Sequence, residues 1–247
     1  MSLLQLEDIS KKFGQVVVGE GITFRVEEGD AVGIVGPNGA GKTSLFAMIS
    51  GDIAPDAGAI LFDGQNIAHL SPAKRARAGI GRTYQVPRPF ENMTVFENAL
   101  LAAQQGARSR GQRSYDLAYG ALERTGLVSL ANRPAGSLAL LHRKRLELAR
   151  ALATAPRVVL LDEIAGGLTD LEVNELTAII RALRSEGIAV VWIEHVVRAL
   201  LSTVDRLLCL ASGVVVADGE PKAVLASEAV RSVYLGGRIL ESQVPDE

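Results

Sequence analysis

The sequence predicts an α/β protein with a mainly parallel sheet, and three patterns predict it. Beyond residue 155, short apolar runs alternate with amphipathic stretches: RVVLLD, LEVNELTAIIRALRSEG, IAVVWIE, then RLLCL and VVVAD. Strands that alternate with helical patterns signal parallel pairing through crossover helices. Near the N-terminus, LLQLEDI, GITFRV and AVGIV are each bounded by Gly, Asp or Glu and read as strands. Between these regions, TVFENALLAAQQ, YDLAYGALERTGL and RLELARALA repeat apolar residues at helical spacing. A helical insert within an α/β domain is the expected architecture.

Taken in order, AILFDGQNI predicts a hairpin, with Asp63-Gly64 supplying the positive φ angles of a tight turn. Thr94-x-x-Glu97 is a capping box that starts the first helix of the insert. ARSRGQRS (107–114) is polar and glycine-bearing, and is expected to be an exposed loop. The chain has 247 residues, 48% hydrophobic and 22% charged, enough apolar surface for a sizeable core and too much for disorder. No uncharged run approaches the roughly 18 residues a membrane helix needs. The opening MSLLQLEDISKKF carries Glu7 and Asp8 and no apolar stretch, so no secretory signal is expected. One cysteine, Cys209, excludes an internal disulfide and a cysteine-cluster metal site. These features predict a cytosolic protein.

Charge is uneven. Residues 82–150 hold 11 basic and 5 acidic residues, while the whole chain has a net charge of -2. Such asymmetry marks a segment with a surface of its own, most simply a solvated arginine-rich helical face. Nucleic acid is not an expected partner, because aromatics are only 4% and no nucleic-acid-binding motif is present.

Chemistry is concentrated in two motifs. GPNGAGKT satisfies G-x-x-x-x-G-K-[ST] between the apolar strand AVGIV and a helix beginning TSLFAMIS. Its glycines allow backbone N–H groups to converge on phosphate oxygens, and the helix N-terminus adds positive dipole there. Gly36, Pro37, Asn38, Gly39, Ala40, Gly41, Lys42, Thr43 and Ser44 are thus the expected nucleotide cradle. Lys42 is to reach the β- and γ-phosphates of a nucleotide, and the Thr43 hydroxyl to ligate Mg2+. The second motif, RVVLLDE, delivers Asp162 to the C-terminal edge of the sheet as a magnesium contact. Glu163 follows, placed to polarise the attacking water. Gln85, in RTYQ at the border of the insert, and His195, ending IAVVWIE, are candidates to sense the γ-phosphate by their place in the motif order.

In that order the chain resembles, over nearly its whole length, the nucleotide-binding subunit of an ABC transporter. The resemblance implies a P-loop NTPase core with an antiparallel β subdomain, in one ABC ATPase domain over 1–247. Residues 1–84 and 151–247 would form the core and 85–150 a helical subdomain. It implies Phe13 as the adenine-stacking ring, Gln85 as a further metal contact, and Gln85, Glu163 and His195 as the catalytic set. RTYQVPRPFENMTVFENAL, LERTGLVSLANRPAGSLA and the ending VYLGG are similar to branched-chain amino acid importers. By that resemblance the partners are a second ABC ATPase subunit, in a homo- or heterodimer, and transmembrane permease subunits. A periplasmic binding protein would act indirectly. The location would be peripheral, on the cytoplasmic face of the inner membrane.

The chain departs from the family in places. Where the family carries a signature close to L-S-G-G-Q, Leu138-Ala139-Leu140-Leu141-His142 stands here. Glycine there lets the backbone approach a phosphate held by the other subunit, and Leu141 is expected to add bulk without a donor. Ile164 replaces a usual proline, and Thr169 stands where Asp or Asn is usual. Three functions follow: an energy-coupling ATPase subunit of an importer, a catalytically impaired nucleotide-binding subunit, or a non-transport ATPase of the same type. No N-K-x-D guanine reader is present, which argues against a GTPase.

Overall fold

Alternation along β1 (Leu4–Phe13) decides which face it buries: Leu4, Leu6 and Ile9 point inward while Glu7 and Asp8 are exposed. The period breaks between Leu6 and Ile9, where Asp8 takes φ +51 and the register shifts, a bulge that keeps Ile9 inside. In this computed structural model, which describes residues 2–235, β1 lies between β2 (Val16–Val26) and β4 (Ala57–Phe62), antiparallel to both. From β4 the chain turns through Asp63-Gly64, both at positive φ (51 and 72), into the short β5 (Gln65–Asn66). These four strands form one antiparallel sheet.

The other sheet has six strands, in the order β10 (Val214–Gly219), β9 (Arg206–Ala211), β3 (Ala31–Val35), β8 (Ala189–Ile193), β7 (Val158–Asp162), β6 (Ile80–Arg82). Every pairing is parallel except β9 with β10. All five residues of β3, β7 and β8 are buried, as in a sheet covered on both faces. Successive residues of β7 divide between two cores. Val158 and Leu160 pack in the cluster of Leu45, Phe46 and Met48 from α1 (Lys42–Ser50) and the inner face of the antiparallel sheet. Val159 and Leu161 join Leu176 and Ile180 of α6 (Asp170–Ser185) on the opposite side. Cys209 of β9 is fully buried, and burial pushes its thiol up to about 11. No helix among the described residues is long and apolar enough to cross a membrane.

Three helices make up the insert: α3 (Val95–Gln105), α4 (Gln112–Arg124) and α5 (Leu140–Ala153). The Thr94 hydroxyl accepts from the Glu97 amide and the Glu97 carboxylate accepts from the Thr94 amide at 2.7 Å, completing the capping box. Other boundaries differ from expectation. The segment 107–114 is not exposed throughout, because α4 already begins at Gln112, and Ser109 and Ser114 are buried with their hydroxyls 3.1 Å apart. Ser109 also donates to the Ala103 carbonyl, so a polar stretch is satisfied internally rather than by water. Helix α5 starts at Leu140 rather than at Arg145. The ending VYLGG lies partly beyond the described residues.

Several elements have no counterpart in the sequence reading, among them the edge strand β6 and α2 (Pro72–Ala78). α2 is held by Arg75, which is fully buried and donates to the carbonyls of Met48 and Ile49 at the end of α1, and of Ala68 and Leu70. A cation at a helix C-terminus also opposes the dipole there. Arg75→Leu should therefore lower stability by about 3 kcal/mol, since it leaves these buried carbonyls without a donor. Chemical denaturation of the purified chain measures this, and a loss under about 1 kcal/mol would mean water replaces the guanidinium.

Candidate active site

The loop between β3 and α1 has its shape set by neighbours that leave no room for side chains. A Cβ on Gly36 would sit 2.0 Å from the Leu210 carbonyl oxygen of β9, and one on Gly41 2.2 Å from that of Val18 in β2. The Gly213 amide bonds the Ala40 carbonyl (3.0 Å), and the Gly213 carbonyl accepts from Glu20 (2.8 Å), so both sheets hold the loop. Gly41, at φ +102, offers α1 no side-chain cap, and the first turn has no acid. That N-terminus is free to receive an anion. Lys42 is buried, its Nζ donating to the carbonyls of Gly36 (2.7 Å) and Pro37 (3.0 Å). Burial lowers its pKa, and the carboxylates of Glu163 and Asp162 act against that. Thr43 is exposed and Ser44 half-buried on the first turn. Phe13, at the end of β1, is half exposed, with the Lys11 ammonium 5.2 Å from the centre of its ring.

Asp162 and Glu163 close the C-terminal end of β7, but their surroundings differ. Asp162 is buried, and burial raises its pKa while Arg82 lowers it; Arg82 Nη2 lies 3.3 Å from Asp162 Oδ2. Glu163 leaves the sheet at φ +47, a left-handed conformation uncommon outside glycine. Its amide donates to the Ile193 carbonyl of β8 (2.9 Å). Its two carboxylate oxygens go separate ways: Gln85 Nε2 donates to Oε2 at 2.6 Å, and His195 Nε2 lies 2.8 Å from Oε1. The structure thus brings Gln85, Glu163 and His195 together from three distant segments. Chemically the cluster can hold a water between a carboxylate and two polar side chains, beside a cradle for phosphate.

Sequence reasoning missed the groups that hold these in place. Arg82 spans Asp162, Asp52 (2.8 Å) and the Ser50 hydroxyl (2.8 Å) and stacks over Tyr84. The Thr83 hydroxyl accepts from the Asp162 amide (3.2 Å). Lys144 and Glu194 are buried behind Glu163. Neither belongs to a recognisable pattern; only their spatial partners give them meaning.

The segment Leu138–His142 differs from expectation in one detail. Leu141 is buried within its own subunit, whereas Leu140, at the first position of α5, is 45% exposed. Leu140 is therefore the bulk presented outward, and Ala139, at the N-cap, offers no side-chain cap. Thr169 is the N-cap of α6, in a capping box with Glu172 that the sequence reading had not assigned. Between α2, β6, α3 and α5 lies a cleft of about 310 Å3, lined by Arg82, Tyr84, Glu147 and Arg150 among others. Glu147 is buried there, and Arg150 Nη1 bridges its carboxylate (2.9 Å) to the Arg88 carbonyl (2.8 Å).

Comparison with known proteins gives the family. The ABC transporter family model matches residues 20–166. The high-affinity branched-chain amino acid transport ATP-binding protein BraF of Pseudomonas aeruginosa is 36% identical, over 95% of this chain and 98% of its own. The lipopolysaccharide export system ATP-binding protein LptB of Escherichia coli is 34% identical, over 96% and 98%. Among solved structures, an ATP-binding cassette of an ABC transporter in its ADP conformation superposes with a TM-score of 0.86 at 31% identity, covering 96% of this chain and 99% of that one. A nucleotide-free cassette gives 0.82 at 28% identity over the full length of both. With likeness of this degree running end to end in both sequence and backbone, the chain belongs to the ABC transporter family, as an ATPase that forms the ATP-binding subunit of a transporter.

Proposed function

We propose that this subunit powers a bacterial importer of branched-chain or related amino acids, hydrolysing ATP with Mg2+ as one half of a dimer of ATPase subunits. The observation that carries the catalytic part is the convergence of Gln85 and His195 on Glu163 beside the glycine loop. In this reading the loop from Gly36 to Ser44 cradles the phosphates, Lys42 exchanges its carbonyl partners for phosphate oxygens, and Phe13 stacks on adenine. Glu163 polarises the attacking water, Gln85 orients it and His195 fixes the carboxylate.

The donors present fit magnesium. The Thr43 hydroxyl, the Gln85 amide oxygen and the Asp162 carboxylate are all hard oxygen ligands. Gln85 donates through Nε2, which leaves its oxygen available. No cluster of three or more His, Cys, Asp or Glu side chains suited to a metal exists among the described residues, which suits an ion that arrives with nucleotide. When bound, it neutralises charge developing on the phosphates.

Residues 1–84 and 151–247 serve as the core and 85–150 as the helical subdomain, with the second border falling inside α5. The cleft between them is the seat for a permease segment, on the cytoplasmic side of the membrane. The importer assignment rests on RTYQVPRPFENMTVFENAL and on the BraF relative, whereas LptB relatives at 34–37% identity favour lipopolysaccharide export. The deciding experiment reconstitutes the chain in liposomes with the membrane subunits encoded beside it. Uptake of labelled leucine supports import; ATPase stimulation by lipopolysaccharide alone would move the assignment to export.

A homodimer of this chain would face each ATP with Ala139 and Leu140, so hydrolysis should be slow alone and rise with a partner carrying an intact signature. Ala139→Ser with Leu140→Gly should raise homodimer turnover by roughly 10-fold or more, because it restores a hydroxyl and backbone access at the developing charge. Leu141 is left in place, since its burial makes glycine there a core cavity. Steady-state phosphate release is the measurement, and fast hydrolysis by the unaltered chain would remove the idea.

A further inference from the structure

We propose that Lys144 and Glu194 are positioning residues that hold the catalytic carboxylate in register, Lys144 through the Glu163 backbone and Glu194 through the turns on either side. The proposal rests on the reading of Glu163 as the water-polarising group, and deepens it.

Glu163 needs such support. Its φ of +47 is disfavoured for a residue with a side chain, and such a conformation persists only when the surroundings over-determine it. Three hydrogen bonds fix its peptide units. Its amide donates to Ile193, and its carbonyl accepts from the Gly166 amide at 3.3 Å within the turn and from Lys144 Nζ at 3.2 Å across from α5. Lys144 projects from α5, the helix whose first residues form the altered signature, so this bond joins that helix directly to the site.

Glu194 performs the matching task. One carboxylate oxygen accepts from the Ala165 amide (2.9 Å), just past Glu163; the other accepts from the amides of His195 (2.9 Å) and Val196 (3.5 Å). One buried side chain therefore spans the loop leading to Thr169 and the turn presenting His195. Lys144 and Glu194 are only 4% and 2% exposed. Burial disfavours charge on both, and among the charges acting on the Lys144 ammonium Glu194 supports it most, followed by Glu163. A buried pair retained at this cost, with every contact directed at backbone beside the site, acts on conformation rather than on substrate.

The test uses the full chain. In Lys144→Met, which keeps the stem but removes the ammonium, amide hydrogen exchange at 163–168 and 194–197 should quicken about tenfold without nucleotide, while that at 36–43 stays unchanged. ATP affinity should stay within about threefold. In the assembly with a signature-bearing partner, kcat should fall about tenfold at unchanged KM, and Lys144→Arg should recover much of it. Exchange and kcat both within twofold of the parent would overturn the proposal, as would a loss of ATP affinity equal to the loss of kcat. If Lys144→Met does not fold, Glu194→Gln carries the same exchange test: a faster 194–197 segment supports the proposal and an unchanged one overturns it. Turnover unaffected by Glu163→Gln would instead refute the role of Glu163, an outcome the nucleotide-free exchange data keep separate.

Discussion

Glu163→Gln should leave ATP binding within a few-fold of the parent and cut hydrolysis by about 10³, because an amide cannot take up charge from an attacking water as a carboxylate does. The substitution is close in shape. A glutamine oxygen can still accept from Gln85 or His195, so the left-handed turn at 163 and its backbone bonds to Ile193 and Lys144 should survive. What disappears is one of the two acceptors that the carboxylate offers, and with it the negative charge beside the cradle. Because Glu163 helps Lys42 stay protonated, its neutralisation also removes a favourable interaction with the ammonium, but ATP phosphates supply a larger one. The measurement is phosphate release in an assembly whose partner carries an intact signature. Unchanged turnover would remove Glu163 from catalysis.

Lys42→Ala should reduce ATP affinity by roughly 10²-fold or more, the loss expected when a charge-assisted contact to buried phosphate is deleted. In the unliganded chain the ammonium is solvated by the carbonyls of Gly36 and Pro37, and burial disfavours its charge. Removing it relieves that burden on folding, so thermal stability without nucleotide should change little while the stabilisation conferred by ATP largely disappears. Calorimetric titration reads the affinity. Binding within a few-fold of the parent would overturn the assignment of the loop.

How much of this was legible beforehand depends on whether the cause was local. The hairpin at Asp63-Gly64, the capping box at Thr94 and Glu97 and the all-apolar strands AVGIV and VVLLD each carry their reason within a few residues, and the structure contains them. The glycine loop and the acidic pair were likewise readable, as was their placement at strand ends. Arg75 was not, because an arginine that caps another helix looks from sequence like a solvated charge in SPAKRARAG. Leu141 shows the same limit: burial one position along a helix from an exposed Leu140 is decided by what the helix packs on. Lys144 and Glu194 act on backbone distant in sequence, and no spacing rule reaches across that separation.

The burial of Cys209 has a practical consequence for the question of the two ATP faces. A thiol with no exposed surface and a pKa of about 11 is almost wholly protonated at neutral pH and out of reach of alkylating reagents. It is also the sole cysteine of the chain, which therefore behaves as a cysteine-free background without any substitution. A thiol introduced at exposed Leu140 would take a spin or fluorescent label alone. Its distance to a label on a second subunit would then report, in solution and during turnover, how closely the altered face approaches the opposite nucleotide.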